Sequence, residues 1–191
     1  MSKSSVKVLP RFLLAEMSLR RSLGYMLLFN IILVASSFIE VPLPFSPVPI
    51  TAQSIAVLAC GLFLGPVRGM ATIAAYLIEG ALGLPVFAGG ASGIIRILGP
   101  TGGYLLGFIP AAGIVGYLSD RIQSMTYGKL TAVLLAGKVM IFAPGLLWLS
   151  CFVPHGSLLA MGLYPFIPGL IIKVAVTATA LTGYKRFKQI L

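Results

Sequence analysis

LPVFAGGASGIIRILGPTGGY, residues 84–104, decides how this chain is read. Its first twenty residues hold six glycines, two prolines and a single charge, Arg96, between long apolar runs. A helix does not readily accommodate that density of glycine and proline. Inside a bilayer, irregular backbone persists only where protein buries it or where it lines a cavity. Two readings are open: a folded-in lid or lining of a binding site, and a flexible surface loop. The Phe, Ile and Leu content favours the first, because solvent-exposed loops are usually polar.

Working outward, the chain of 191 residues is 58% hydrophobic and 9% charged, against about 25% charged in soluble domains. An all-α, polytopic integral membrane protein with about six transmembrane helices is expected. The apolar runs are residues 23–38, 50–64, 67–82, 104–118, 130–151 and 166–181. Several are shorter than the ~20 residues a full crossing needs, so headgroup-level turns such as Gly65–Pro66 are part of the reading. Pro42, Pro44, Pro47 and Pro49 suggest a rigid extended connection after the first span. The runs are too long for barrel strands. The first span is expected to be retained, since no small-residue cleavage site follows it. The implied organisation is a basic segment at 1–22, a membrane domain at 23–183 and a basic tail at 184–191.

The formal charge of +10 does not point to nucleic acid, because basic and aromatic residues are not interleaved on a surface. Lys3, Lys7, Arg11, Arg20, Arg21, Arg68, Arg121, Lys129, Lys185, Arg186 and Lys188 fall on one side of a six-span layout, and Arg96 alone falls on the other. That bias predicts both termini in the cytoplasm and contacts with anionic lipid headgroups.

Lys173 lies within the sixth span, where a lysine costs about 2.5–3.5 kcal/mol at helix centre. An anionic ligand, a carboxylate or a hydrated cavity would offset it, or the side chain snorkels. Lys138 reads as lying near the inner end of its span, within easy reach of the headgroups. Glu79 is the one acid within an apolar span. It could pair with Arg96 or Lys173, accept hydrogen bonds from a ligand, or titrate in ion coupling. Asn30 and Gln53 are amides that donate and accept, which suits a neutral polar ring or helix packing. His155 reads as structural or solvated. Cys60 and Cys151 read as free thiols, and no metal set, cofactor motif or nucleotide loop is present, which argues against an enzyme. Small residues such as Gly107, Ala111, Ala112 and Gly116 offer close helix contact; a homo-oligomer is left open.

VPITAQ (48–53), GLFLGPVRG (61–69), YLIEGALGLPVFAGG (76–90), GPTGGYLLGF (99–108) and PFIPGLIIK (165–173), in that order, strongly resemble the BioY biotin transporter family. The resemblance implies a six-helix membrane subunit that captures biotin from outside. It also implies partners, a transmembrane coupling subunit and two ABC-type ATPases, although some members lack dedicated partners. By resemblance, Arg96 and Lys173 belong to the ligand site. Phe87 and Tyr104 suit the apolar part of biotin. The family usually carries aspartate where this chain has Leu170, which removes an acceptor for ureido N–H groups, and Glu79 is the expected replacement. Asn30 and Val34 stand near positions the family fills with small residues. Alternatives to biotin uptake are transport of a related vitamin or small carboxylate, and a noncatalytic membrane scaffold.

Overall fold

The structure, a computed structural model, describes residues 18–122 and 126–169. It is a bundle of long helices with one small β-hairpin and a set of short elements at one end. Helix α1 spans Leu19–Ser37, so Arg20 and Arg21 ride on its first turn. Asn30, Leu33, Ser36 and Ser37 are buried at helical spacing, while Leu27, Leu28, Ile31 and Ile32 face outward. An apolar outer face is what a lipid environment selects. The Ser36 and Ser37 hydroxyls donate back to the Leu33 and Val34 carbonyls, which satisfies them without water.

The proline-rich connection is more than an extended link. Strands β1 (Glu40–Leu43) and β2 (Ser46–Thr51) pair antiparallel, with Glu40 opposite Thr51 and Leu43 opposite Ser46. The register slips between Val41 and Leu43, around Pro42, which has no N–H to give the ladder. Extended backbone was legible from proline spacing; pairing was not.

Helix α2 runs Gln53–Ala81 and reverses at Gly65, whose φ of 77° and ψ of 179° are non-helical. Glycine adopts that conformation without strain, and Pro66 suits the first turn of the next limb. The limbs, residues 53–64 and 66–81, lie back to back. A Cβ on Gly69 would sit 3.1 Å from the Gly61 Cα, and Gln53 at one end reaches Tyr76 near the other. The Gly65–Pro66 break expected from sequence is therefore a helical hairpin.

Helix α3 is short (Ile94–Leu98). Helix α4 spans Gly102–Arg121 and α5 spans Tyr127–Leu149, capped by Thr126 accepting from the Lys129 N–H. A 3-10 turn at His155–Ser157 leads into α6 (Leu158–Gly162), and residues 166–169 are helical again. Helices α1, α2, α4 and α5 are long and apolar enough to cross a membrane. The core lies where α4 packs between α2 and α5, around Val57, Ile73, Tyr76, Ala111, Val115 and Leu134. The sixth expected span begins at the edge of the described residues. Lys173, Leu170, residues 1–17 and the basic tail lie outside them.

Candidate functional site

The glycine-rich stretch is tied down along its length. The Leu84 N–H donates to the Glu79 carbonyl (3.1 Å) and the Gly93 N–H to the Gly80 carbonyl (2.7 Å). Tyr76 donates its hydroxyl to the Val86 carbonyl at 2.8 Å, and Trp148 donates its indole N–H to the Gly99 carbonyl at 3.0 Å. Within the stretch, Phe87 and Ala91 bridge around Gly89 and Gly90, both at positive φ. Phe87 is 2% exposed, its ring seated edge-on to Tyr76 at 5.7 Å. Of the two readings open from sequence, the folded-in lining is the one observed.

This stretch and the β-hairpin together line a pocket of about 340 Å³, with Phe87–Gly89 in its wall. Small-molecule sites occupy about 300–1,000 Å³. The hairpin is held over it by the Ser46 hydroxyl, which donates to the Met161 carbonyl of α6 at 2.7 Å. One wall is aromatic. Tyr104 meets Phe142 at 6.0 Å and 89°, Phe166 stands 5.7 Å from Phe142, and Phe108 completes the wall. The Tyr104 hydroxyl is committed to the Gly162 carbonyl at 2.8 Å, so Tyr104 offers its ring and not its hydroxyl.

The rest of the lining is more polar. Thr51, Gln53 and Ser54, at the end of β2 and start of α2, line it together with Glu40 and Lys138. Gln53 is 3% exposed and gives its side-chain N–H to the Tyr76 hydroxyl, which leaves its Oε1 to accept. Lys138 is 5% exposed and donates from Nζ to Ser54 Oγ at 2.6 Å. Arg96, on α3, lines the cavity from an exposed position within the glycine-rich stretch. A charged amine, a guanidinium, an amide and aromatic faces suit a small, mostly apolar anion that also carries a polar ring.

Of the residues singled out from sequence, Arg96, Gln53, Tyr104 and Phe87 meet at this cavity. Asn30 and Glu79 do not line it. They meet each other instead, with Asn30 Nδ2 donating to Glu79 Oε1 at 3.0 Å, and pin α1 to the second limb of α2. Each polar group in an apolar span needs a partner, and here each supplies the other's. Glu79 thus ties helices together, where sequence suggested it would replace an acceptor in the site. Lys173 lies outside the described residues. Sequence reasoning missed Glu40 and underweighted Lys138. It took Lys138 to lie near the inner end of its span, whereas α5 begins at Tyr127 and places it mid-helix. Its apolar neighbours on every side were the available signal.

A profile of the BioY family matches residues 6–189. The chain is 40% identical over 136 residues to the probable biotin transporter BioY of Pyrococcus horikoshii, covering 71% of this chain and 80% of that protein. It is 37% identical over 167 residues to the biotin transporter BioY of Rhizobium etli, covering 83% and 89%. Its fold matches a crystal structure of the S-component for biotin from an ECF-type ABC transporter with a TM-score of 0.79 and 29% identity, over 89% of this chain and 95% of that one.

Proposed function

Because the chain belongs to the BioY family, we propose that it is the membrane subunit that binds biotin for uptake, a transport protein and not an enzyme. The observation that carries the reading is one cavity lined by cations, an amide and aromatic rings together. Biotin is an apolar bicycle with a ureido group at one end and a carboxylate on a chain at the other. Arg96 takes the carboxylate through charge-assisted hydrogen bonds. Lys138 and Gln53 take the ureido ring, and Phe87, Tyr104, Phe108 and Phe142 cover the apolar body. By its resemblance to the family, Lys173 is proposed as a further cation for the ligand. Phe87 and Arg96 belong to one tethered stretch, so a single segment supplies both an apolar and a cationic contact.

Six spans fit the architecture: α1, the two limbs of α2, α4, α5 and a last helix that begins at residues 166–169. With eleven basic residues on one side of that layout and Arg96 on the other, the termini face the cytoplasm and the cavity faces the outside. The protein then sits in a bacterial inner membrane, with residues 23–183 as its binding domain and the flanking basic segments against anionic lipid. Partners of the class that complete an ECF-type transporter, a coupling subunit and two ATPases, fit a chain that carries no nucleotide motif of its own.

The test is uptake of radiolabelled biotin by a biotin-auxotrophic host that lacks its own transporter. Uptake on expression of this chain, alone or with coupling subunits, supports the reading. No uptake in either arm, with the protein present in the membrane, contradicts it. Uptake of lipoate or another small carboxylate in place of biotin would reassign the substrate.

A further inference from the structure

We propose that Glu40 sets ligand specificity, by accepting a ring N–H group of the bound molecule; this deepens the biotin reading and rests on it. Glu40 lies in β1 directly opposite Thr51. Residues paired across an antiparallel ladder place their side chains on the same face. Both line the cavity, and Gln53 follows two residues after Thr51. The carboxylate reaches across to the glycine-rich stretch. A Cβ on Gly89 would lie 2.6 Å from Glu40 Oε1, and Gly89 has a φ of +68°. Glycine therefore serves twice there, in the turn it makes and in the room it leaves for a carboxylate. Among the described residues, the Glu40 carboxylate makes no hydrogen bond or ion pair, so its oxygens are available to a ligand.

An ionised carboxylate only accepts, so the ligand atom that meets it must be a donor. Biotin has two donors, the ureido N–H groups; its thioether, its methylenes and its ionised carboxylate donate nothing. The same corner holds Lys138, a donor for the ureido carbonyl, bonded to Ser54 beside Gln53. Acceptor and donor then stand where a cyclic urea presents its complementary edge. Hydrogen bonds to a charged acceptor are shorter and stronger than neutral ones, which makes Glu40 a discriminating contact and not only a lining one. The ligand's own negative charge is directed away from Glu40, toward Arg96.

The experiment measures equilibrium binding of biotin, desthiobiotin and biotin methylated at both ring nitrogens to purified wild-type, Glu40→Ala and Glu40→Gln proteins. Desthiobiotin keeps the N–H groups; the methylated ligand has none. Glu40→Ala is expected to weaken biotin and desthiobiotin alike, by about tenfold or more. The methylated ligand binds weakly throughout and loses nothing further. Glu40→Gln keeps an acceptor oxygen without the charge and falls between. Equal losses for all three ligands would mark a structural role and overturn the proposal. So would unchanged biotin affinity in both variants. Wild-type protein that binds none of the three overturns the biotin reading itself, and the role of Glu40 falls with it.

Discussion

Gly80→Ala tests how the glycine-rich stretch is held. Gly80 is buried on the second limb of α2, and its carbonyl takes the Gly93 N–H at 2.7 Å. A methyl added there would lie 2.1 Å from Phe87 Cζ and 2.4–2.5 Å from its Cε atoms. Carbon atoms settle at about 3.5–4.0 Å, so the ring must withdraw by roughly 1.5 Å. It cannot withdraw freely, because the Tyr76 ring stands against it at 5.7 Å. Overpacking of this kind costs about 1–3 kcal/mol. For a chain of this length each kcal/mol moves the melting temperature by about 2–4 °C, so a loss of roughly 2–12 °C is expected. Phe87 also lines the cavity, so biotin affinity falls with it. Trp148, the single tryptophan, is bonded to Gly99 in the same stretch and reports the transition by fluorescence. Gly80→Ala combined with Phe87→Leu relieves the clash and should restore part of the loss, a coupling of about 1 kcal/mol or more. An unchanged melting temperature in Gly80→Ala, or strict additivity in the double variant, would refute the packing argument.

Three further outcomes follow from the same geometry. Tyr76→Phe removes the hydroxyl between Gln53 and the Val86 carbonyl and leaves both unpaired, at about 1–3 kcal/mol each; calorimetric titration should show weaker biotin binding while far-ultraviolet circular dichroism stays helical. Lys138→Met should weaken biotin about ten- to a hundredfold in a radioligand assay, and undiminished affinity would remove Lys138 from the site. Gly61→Ala sets a methyl 2.3 Å from the Ala112 carbonyl, against backbone that has no rotamer to yield, and should sharply lower melting temperature; Gly24→Ala meets nothing within 4 Å and should be neutral or stabilising by about 0.5–1 kcal/mol.

What the sequence makes legible are features carried by one residue or by neighbours. Gly65–Pro66 announces a break because those two residues cannot continue a helix, and the break is there. Arg96 stands out as the one charge in a tract of glycine and apolar residues, and it lines the cavity. Long-range pairings are not legible in this way. Asn30 and Glu79 each require a partner in an apolar span, but nothing local says that they meet each other across 49 positions of chain. Glu40 sits in a proline-rich connection that reads as a linker, and only the register with Thr51 turns its side chain toward the cavity. Lys138 reads as close to the headgroups because the apolar run starts at Leu130, but Thr126 caps α5 earlier, and a shift of about one turn moves a lysine to the interior.

One biotin is expected to occupy the cavity that residues 84–104 help to line. Equilibrium binding of radiolabelled biotin to the purified chain in nanodiscs tests it directly, with wild-type, Arg96→Ala and Gln53→Ala proteins compared at equal folded concentration. Saturable binding at one biotin per chain is expected, competed by desthiobiotin and lowered about tenfold or more by each substitution. Absence of saturable biotin binding, or affinity that neither substitution changes, would contradict it.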